Sequence, residues 1–244
     1  MSITKRQSEI LKTIEENLYV TVNELAALTF TSASSIRRDL TVLQNLGLVK
    51  RSYGGVGLSE MTDKVAGYYS RVTQNIKEKR AIAKKAASLL RDGQSILLDS
   101  SSTASFLLPY IAKLDSPTVF TNNLDTAISA VKQGIHTHCL GGGSVRGSVA
   151  LTGSETYKAL MDISVDILFF SSQSLDKHGM ISDSTEEENY TRKLMLSRAK
   201  TTVFLCDSEK FGRASLYKLS MLDDIDFAVL GGDFPELSTR AKLL

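Results

Sequence analysis

The stretch Thr31-Ser32-Ala33-Ser34-Ser35-Ile36-Arg37-Arg38-Asp39-Leu40, followed by Gly47-Leu48-Val49-Lys50-Arg51-Ser52-Tyr53-Gly54-Gly55, decides the fold of the first third of the chain. Ser32 sits where an N-cap is wanted, just ahead of an apolar series at helical spacing. Ile36, Leu40 and Leu43 recur at i, i+4 and i+7, so they share one buried face. At about 100° per residue the opposite face carries Ser34, Arg38, Thr41 and Asn45, flanked by Ser35 and Arg37. Gly47 is placed as the residue just past the helix end. Leu48 to Tyr53 then predicts a strand, Gly54-Gly55 a turn and Val56-Gly57-Leu58 the return. A capped helix with paired outward arginines, followed by a basic hairpin, suits a helix in the major groove with a wing beside it.

Working back towards the N-terminus, Lys5 to Asn17 predicts a helix with Ile10, Leu11, Ile14 and Leu18 on one face. Tyr19-Val20 reads as a short extended piece. Thr21 with Glu24 three residues on is a capping box, opening a second helix with Leu25, Ala26 and Leu28. Residues 1–58 therefore predict a winged helix-turn-helix domain. Arg37 and Arg38 could read base edges together with Ser32, Ser34, Ser35 and Thr41, while Lys50, Arg51 and Tyr53 could hold phosphates.

Forwards, Ser59 to Asn75 shows no clear periodicity and reads as a linker. From Ile76 onwards helix and strand alternate. The apolar runs Ile96-Leu97-Leu98, Thr118-Val119-Phe120, His138-Cys139-Leu140, Ile167 to Phe170, Thr202 to Cys206 and Phe227 to Leu230 read as short buried strands. Such runs with helices between them predict a mainly parallel, Rossmann-like α/β domain over 76–244. Ligands of such sheets bind beyond the C-terminal strand ends. The polar loops expected there are Asp99-Ser100-Ser101-Ser102-Thr103, Thr121-Asn122, Gly141-Gly142 with Arg146 behind, and Asp207 with Lys210. Hydroxyls beside backbone N–H groups at a helix start suit a phosphate, so these residues form the candidate site for a small phosphorylated metabolite.

Composition narrows the classes. The 244 residues are 42% hydrophobic and 23% charged, ordinary values for a globular chain. The formal charge of +2 says little, but residues 30–58 carry +3 and 61–90 carry +5. Basic charge in the first third is expected where phosphates are contacted; for residues 77–85 alone a solvated helix face is the plainer reading. No apolar stretch reaches the length of a membrane span, and the N-terminus leads into an amphipathic segment, so a cytoplasmic protein is expected. Cys139 and Cys206 lie in apolar runs and are expected to be buried and reduced. Gly141-Gly142-Gly143 does not satisfy G-x-G-x-x-G, since Arg146 stands third after Gly143. His136 and His138 would share a strand face that Cys139 leaves. No cofactor and no metal are therefore expected, and no G-x-S-x-G elbow is present.

The chain resembles the DeoR family of bacterial transcription regulators nearly end to end. The resemblance rests on Ile36-Arg37-Arg38-Asp39-Leu40 with Gly47, Arg51 and Gly54-Gly55. It continues through Arg71, Asn75, Glu78-Lys79 and Ile82-Ala83, and then through the loop series from Asp99, with Gly153, to Asp207-Ser208-Glu209-Lys210-Phe211-Gly212. It implies a ribose-5-phosphate isomerase-like sensor domain, assembly as a dimer or tetramer on operator DNA, and repression of carbohydrate metabolism genes relieved by a phosphorylated sugar. The chain departs from the family's Asp-x-Gly-Thr-Thr at Ser101, and from its pattern after Phe169-Phe170 and at Leu230-Gly231-Gly232-Asp233. Two other readings follow: a C-terminal domain that only oligomerises, and a sugar-phosphate isomerase-type enzyme using Asp99, Asp207 and Lys210.

Overall fold

The computed structural model describes residues 4–17, 19–52, 55–58, 63–144, 148–232, 234 and 236–244, with backbone alone over 63–66. Leu18, Tyr53, Gly54, Arg146 and Asp233 lie outside the described residues. The chain divides into two units, Met1–Gln74 and Asn75–Leu244.

In the first unit, α1 (Lys5–Asn17), β1 (Tyr19–Val20), α2 (Val22–Leu28), α3 (Ala33–Asn45), β2 (Val49–Ser52), β3 (Gly55–Leu58) and α4 (Asp63–Thr73) follow in order. The caps form where the sequence places them. Thr21 Oγ1 accepts from Glu24 N–H at 3.1 Å, and Glu24 Oε2 accepts from Thr21 N–H at 2.8 Å. Ser32 Oγ accepts from Ser35 N–H at 3.3 Å. Gly47, at φ +70°, ends α3 in a Schellman turn: Leu48 N–H reaches Leu43 O and Gly47 N–H reaches Gln44 O. Ile10, Ile14, Leu25, Ile36, Leu40 and Leu43 close one core with Val20, Val49 and Val56 of the antiparallel sheet β1-β3-β2.

Helix α4 occupies 63–73, a segment without predicted regular structure. Tyr68 is buried, and Tyr69 stacks on Tyr19 of β1 at 6.1 Å between ring centres. Burial of aromatic surface against β1–β3 holds this helix, whose own sequence is mixed and contains Gly67.

The second unit is built on a parallel sheet. Its elements are α5 (Ile76–Ala86), β4 (Ser95–Leu98), α6 (Leu108–Ile111), β5 (Thr118–Thr121), α7 (Leu124–Lys132), β6 (His136–Cys139), β7 (Gly143–Ser144), β8 (Leu151–Thr152), α8 (Ser154–Met161), β9 (Val165–Phe170), β10 (Ser174–Leu175), β11 (Met180–Asp183), α9 (Glu186–Arg198), β12 (Ala199–Cys206), β13 (Tyr217–Met221), β14 (Phe227–Leu230) and β15 (Lys242–Leu243). Seven strands run parallel in the order β15-β14-β12-β9-β4-β5-β6. Alternation divides each central strand between two cores. Ile96, Leu98, Phe169, Val203 and Leu205 pack with α5, α6 and α7. Leu97, Leu168, Phe170, Phe204 and Cys206 pack with α8, α9 and the small antiparallel sheet β10-β11-β13. The expectation for one cysteine needs correction. Cys206 is buried, but Cys139 is exposed, because β6 is the sheet's edge strand.

Candidate DNA interface and ligand edge

On α3 the arginines and the core separate as the periodicity demands. Arg37, Arg38, Thr41 and Asn45 are exposed, whereas Ile36, Leu40 and Leu43 are buried. The serines ahead of the arginines form one hydroxyl cluster. Ser32 Oγ lies 3.0 Å from both Ser34 Oγ and Ser35 Oγ, and Arg38 Nη2 donates to Ser35 Oγ at 3.3 Å. Thr41 Oγ1 bonds back to Arg37 O at 2.9 Å. Lys50 and Arg51 are exposed on β2. The candidate Tyr53 is outside the described residues.

Asp39, beside the arginines in sequence, points the other way and was missed as a structural group. It is buried and accepts from Arg6 Nε at 2.6 Å and Gln7 Nε2 at 3.1 Å. This pairing fixes α1 to α3 and leaves Arg37 and Arg38 free of a neighbouring carboxylate that would compete for them.

In the second unit, the candidate loops all follow C-terminal ends of parallel strands: β4 (Asp99 to Thr103), β5 (Asn122), β6 (Gly141-Gly142) and β12 (Asp207 to Lys210). Hydrogen bonds join the inner ones. Asn123 Nδ2 donates to Ser100 O at 3.1 Å, and Ser171 N–H to Asp99 Oδ2 at 3.3 Å. Lys210 Nζ donates to Ser171 Oγ at 2.7 Å and stands 3.5 Å from Asp207. Thr121 Oγ1 accepts from Asn123 N–H at 3.1 Å. Gly141 O accepts from Thr156 Oγ1 at 2.6 Å. Four strand spacings, about 19 Å, separate the ends of β6 and β12, so the β4 loop is the centre of this edge.

The β4 loop differs from the expected helix start. A 3₁₀ turn, Ala104–Leu107, precedes the short α6. Ser101 N–H already donates to Asp99 Oδ1 at 3.1 Å, and Ser101 Oγ caps Ala104 N–H at 3.2 Å. Ser101 is not among the residues with positive φ, so serine fits here without backbone strain. Two buried side-chain oxygens at this edge, Thr103 Oγ1 and Asn122 Oδ1, have no hydrogen-bond partner among the described residues, and neither does Thr126 Oγ1 on α7. Buried polar atoms of this kind call for a ligand or ordered water.

Three residues of this edge were not foreseen. Lys79, counted among a solvated helix face, is instead 3% exposed and donates to Ser102 Oγ at 3.2 Å. Glu78 receives Ser208 N–H at 2.8 Å and Ser208 Oγ at 3.0 Å. Arg192 of α9 is buried against Asp99 and Asp183, at 2.8 and 3.0 Å. Burial pushes the Asp183 carboxyl above its usual range, with Arg192 and the Gln173 N–H opposing. An open depression of about 390 Å³ lies elsewhere, at the N-terminal strand ends, among Gln94, Asp166 and Lys200. Its Asp166 is held below the usual carboxylate range by Lys200 and by the N–H and hydroxyl of Ser95. Among the described residues, no group of three or more His, Cys, Asp or Glu could hold a metal ion, and no helix is long and apolar enough to cross a membrane.

Residues 6–62 match the DeoR-like helix-turn-helix domain, and residues 74–231 match the DeoR C terminal sensor domain. The chain is 32% identical over 226 residues to the HTH-type transcriptional regulator GolR of Listeria innocua, covering 92% of this chain and 89% of that one. It is 26% identical over 236 residues to the glycerol-3-phosphate regulon repressor of Haemophilus influenzae, covering 97% and 92%. Among solved structures it is similar to a D-ribose-5-phosphate isomerase in complex with phospho-erythronic acid. That likeness is loose, with 15% identity, 56% and 54% coverage and a TM-score of 0.43. With both domain matches in chain order and together spanning most of its length, this chain belongs to the DeoR family of DNA-binding transcriptional regulators.

Proposed function

We propose that this protein represses carbohydrate metabolism genes, and that a phosphorylated sugar or related metabolite releases it from its operator. The observation that carries the DNA half is α3, whose capped N-terminus presents Arg37 and Arg38 outwards beside the basic strand β2. In this reading Arg37 and Arg38 reach base edges, with Ser32, Ser34, Ser35 and Thr41 alongside. Lys50, Arg51 and Tyr53 hold phosphates. A relative named for the glycerol-3-phosphate regulon supports the choice of genes. The metabolite half is supported by Lys79 and Lys210 and by the Thr103 and Asn122 side-chain oxygens, which have no partner among the described residues, at one sheet edge. We assign effector binding to that edge: Asp99 to Thr103, Thr121, Asn122, Gly141, Gly142, Arg146, Asp207 and Lys210. Helix-turn-helix proteins read two half-sites as dimers, so a dimer or tetramer of this chain is proposed on the operator. The C-terminal unit is assigned sensing and not turnover.

Selection of bound DNA from a random pool tests the assignment. Arg38→Ala should cost about 1–3 kcal/mol on the selected site and relax the preference at one base pair. Lys50→Ala should weaken all sequences alike and lower the salt slope by about one. Wild-type behaviour of both variants in a salt titration would refute this interface.

A further inference from the structure

Arg192 is 93 residues from Asp99 in sequence, yet its side chain joins the loop after β4 to the end of β11. Its Nε donates to Asp99 Oδ2 at 2.8 Å, its Nη1 to Asp183 Oδ2 at 3.0 Å and its Nη2 reaches Ser100 Oγ at 3.4 Å. Glu188 Oε2 stands 3.9 Å from Nη1, one helical turn back. The two aspartates it bridges are 0% and 1% exposed. Each aspartate in turn holds backbone. Asp99 receives the N–H groups of Ser101 and Ser171, at 3.1 and 3.3 Å, and Asp183 receives that of Gln173, at 3.0 Å. The guanidinium therefore sits behind the β4 loop, the loop after β9 and the end of β11.

A buried ion pair is a poor device for stability, because its desolvation cost offsets its attraction, and a well-packed apolar group would serve as well. What the planar fork supplies is geometry: fixed directions for several acceptors, which an ammonium cannot reproduce. We infer that Arg192 is a positioning residue of the effector edge, which sets the β4 loop by clamping Asp99 and Ser100 and ties that loop to β11 through Asp183. The inference rests on the effector-binding reading of this edge. It gives α9 and β11 a part in sensing that their own sequences do not advertise.

The test uses the full-length protein with Arg192→Lys, which keeps the charge and removes the fork. Asp183→Asn is the second variant, in case the first does not fold. Hydrogen exchange without ligand is the first readout. Exchange should quicken at the amides of Ser101 and Ser171 while the central strands β9 and β12 stay protected. Unchanged exchange at those two amides, or a loss of protection spread over the whole sheet, would overturn the inference. The second readout is release of selected DNA by ribose 5-phosphate or glucosamine 6-phosphate, with inorganic phosphate as the control. The concentration for half-release should rise about tenfold while DNA affinity is kept; an unchanged midpoint, or a parallel fall in DNA affinity, would overturn it. If neither sugar phosphate releases the wild-type protein, the effector reading fails separately, and exchange alone decides whether Arg192 sets the loop.

Discussion

At the scale of single residues, the two cysteines show how one side-chain type takes opposite properties from its surroundings. Cys206 ends β12 inside the core, and burial pushes its thiol up to about 12, against the pull of Lys210. Cys139 is exposed on the edge strand β6. Only thiolates react, so at pH 8 a maleimide should label Cys139 within minutes and Cys206 only after unfolding. Mass spectrometry after tryptic digestion reads this out, and rapid labelling of Cys206 in the native protein would contradict its burial. The charged residues teach a related lesson. Arg37 and Arg38 could be read from sequence because a local period sends them outwards. Lys79 and Arg192 could not, because their helices look solvated and their partners stand 23 and 93 residues away. A buried cation is visible only once the fold brings a distant hydroxyl or carboxylate to it.

At the scale of elements, α3 was legible at both ends: Ser32 caps it and Gly47 stops it, each by a bond made within a few residues. The turn before it was legible at Thr29-Phe30-Thr31, but its left-handed residue was not. Phe30 has φ +49° and is 97% exposed, a left-handed conformation that suits glycine or asparagine. Phe30→Asn should therefore stabilise the protein by about 1 kcal/mol, with strain relieved and no packing lost. Gly47→Ala should destabilise it by a similar amount, through backbone conformation alone, since a Cβ there would meet nothing within 4 Å. Chemical denaturation followed by helical circular dichroism measures both, and changes of the opposite sign would show that the turn is held differently. Helix α4 was missed because tertiary burial of Tyr68 decides it. Val65, Tyr68, Tyr69 and Val72 do recur at helical spacing, a signal diluted by Gly67 and the polar residues between them. The loop after β4 was expected to open a helix directly, yet Ser101 and Asp99 satisfy its first N–H groups and a 3₁₀ turn comes before the short α6.

At the scale of the whole molecule, the family's two domains occupy this chain in order, and the proposed regulation is a matter of linkage between DNA and a metabolite. A metabolite can release DNA only if it binds one state of the protein better than the other, and the same factor must then weaken its own binding when DNA is present. The parallel direction and the edge on which the polar loops gather were legible, because buried strands alternating with helices leave few arrangements; the order of the strands was not, since it is set by which of them pair across the chain. Which side chains at that edge are spent on each other was not legible. That needs the distances: Lys210 bonds Ser171 and Lys79 bonds Ser102, while the buried Thr103 Oγ1 and Asn122 Oδ1 have no partner among the described residues.

The most direct test of the account is fluorescence anisotropy of labelled DNA from the gene's own upstream region. The protein is titrated in excess non-specific DNA, and the complex is then challenged with a panel of sugar phosphates. The account predicts tight, sequence-selective binding that one phosphorylated compound reverses at a concentration where inorganic phosphate does nothing. Binding that survives every compound in the panel, or that non-specific DNA abolishes, would contradict it.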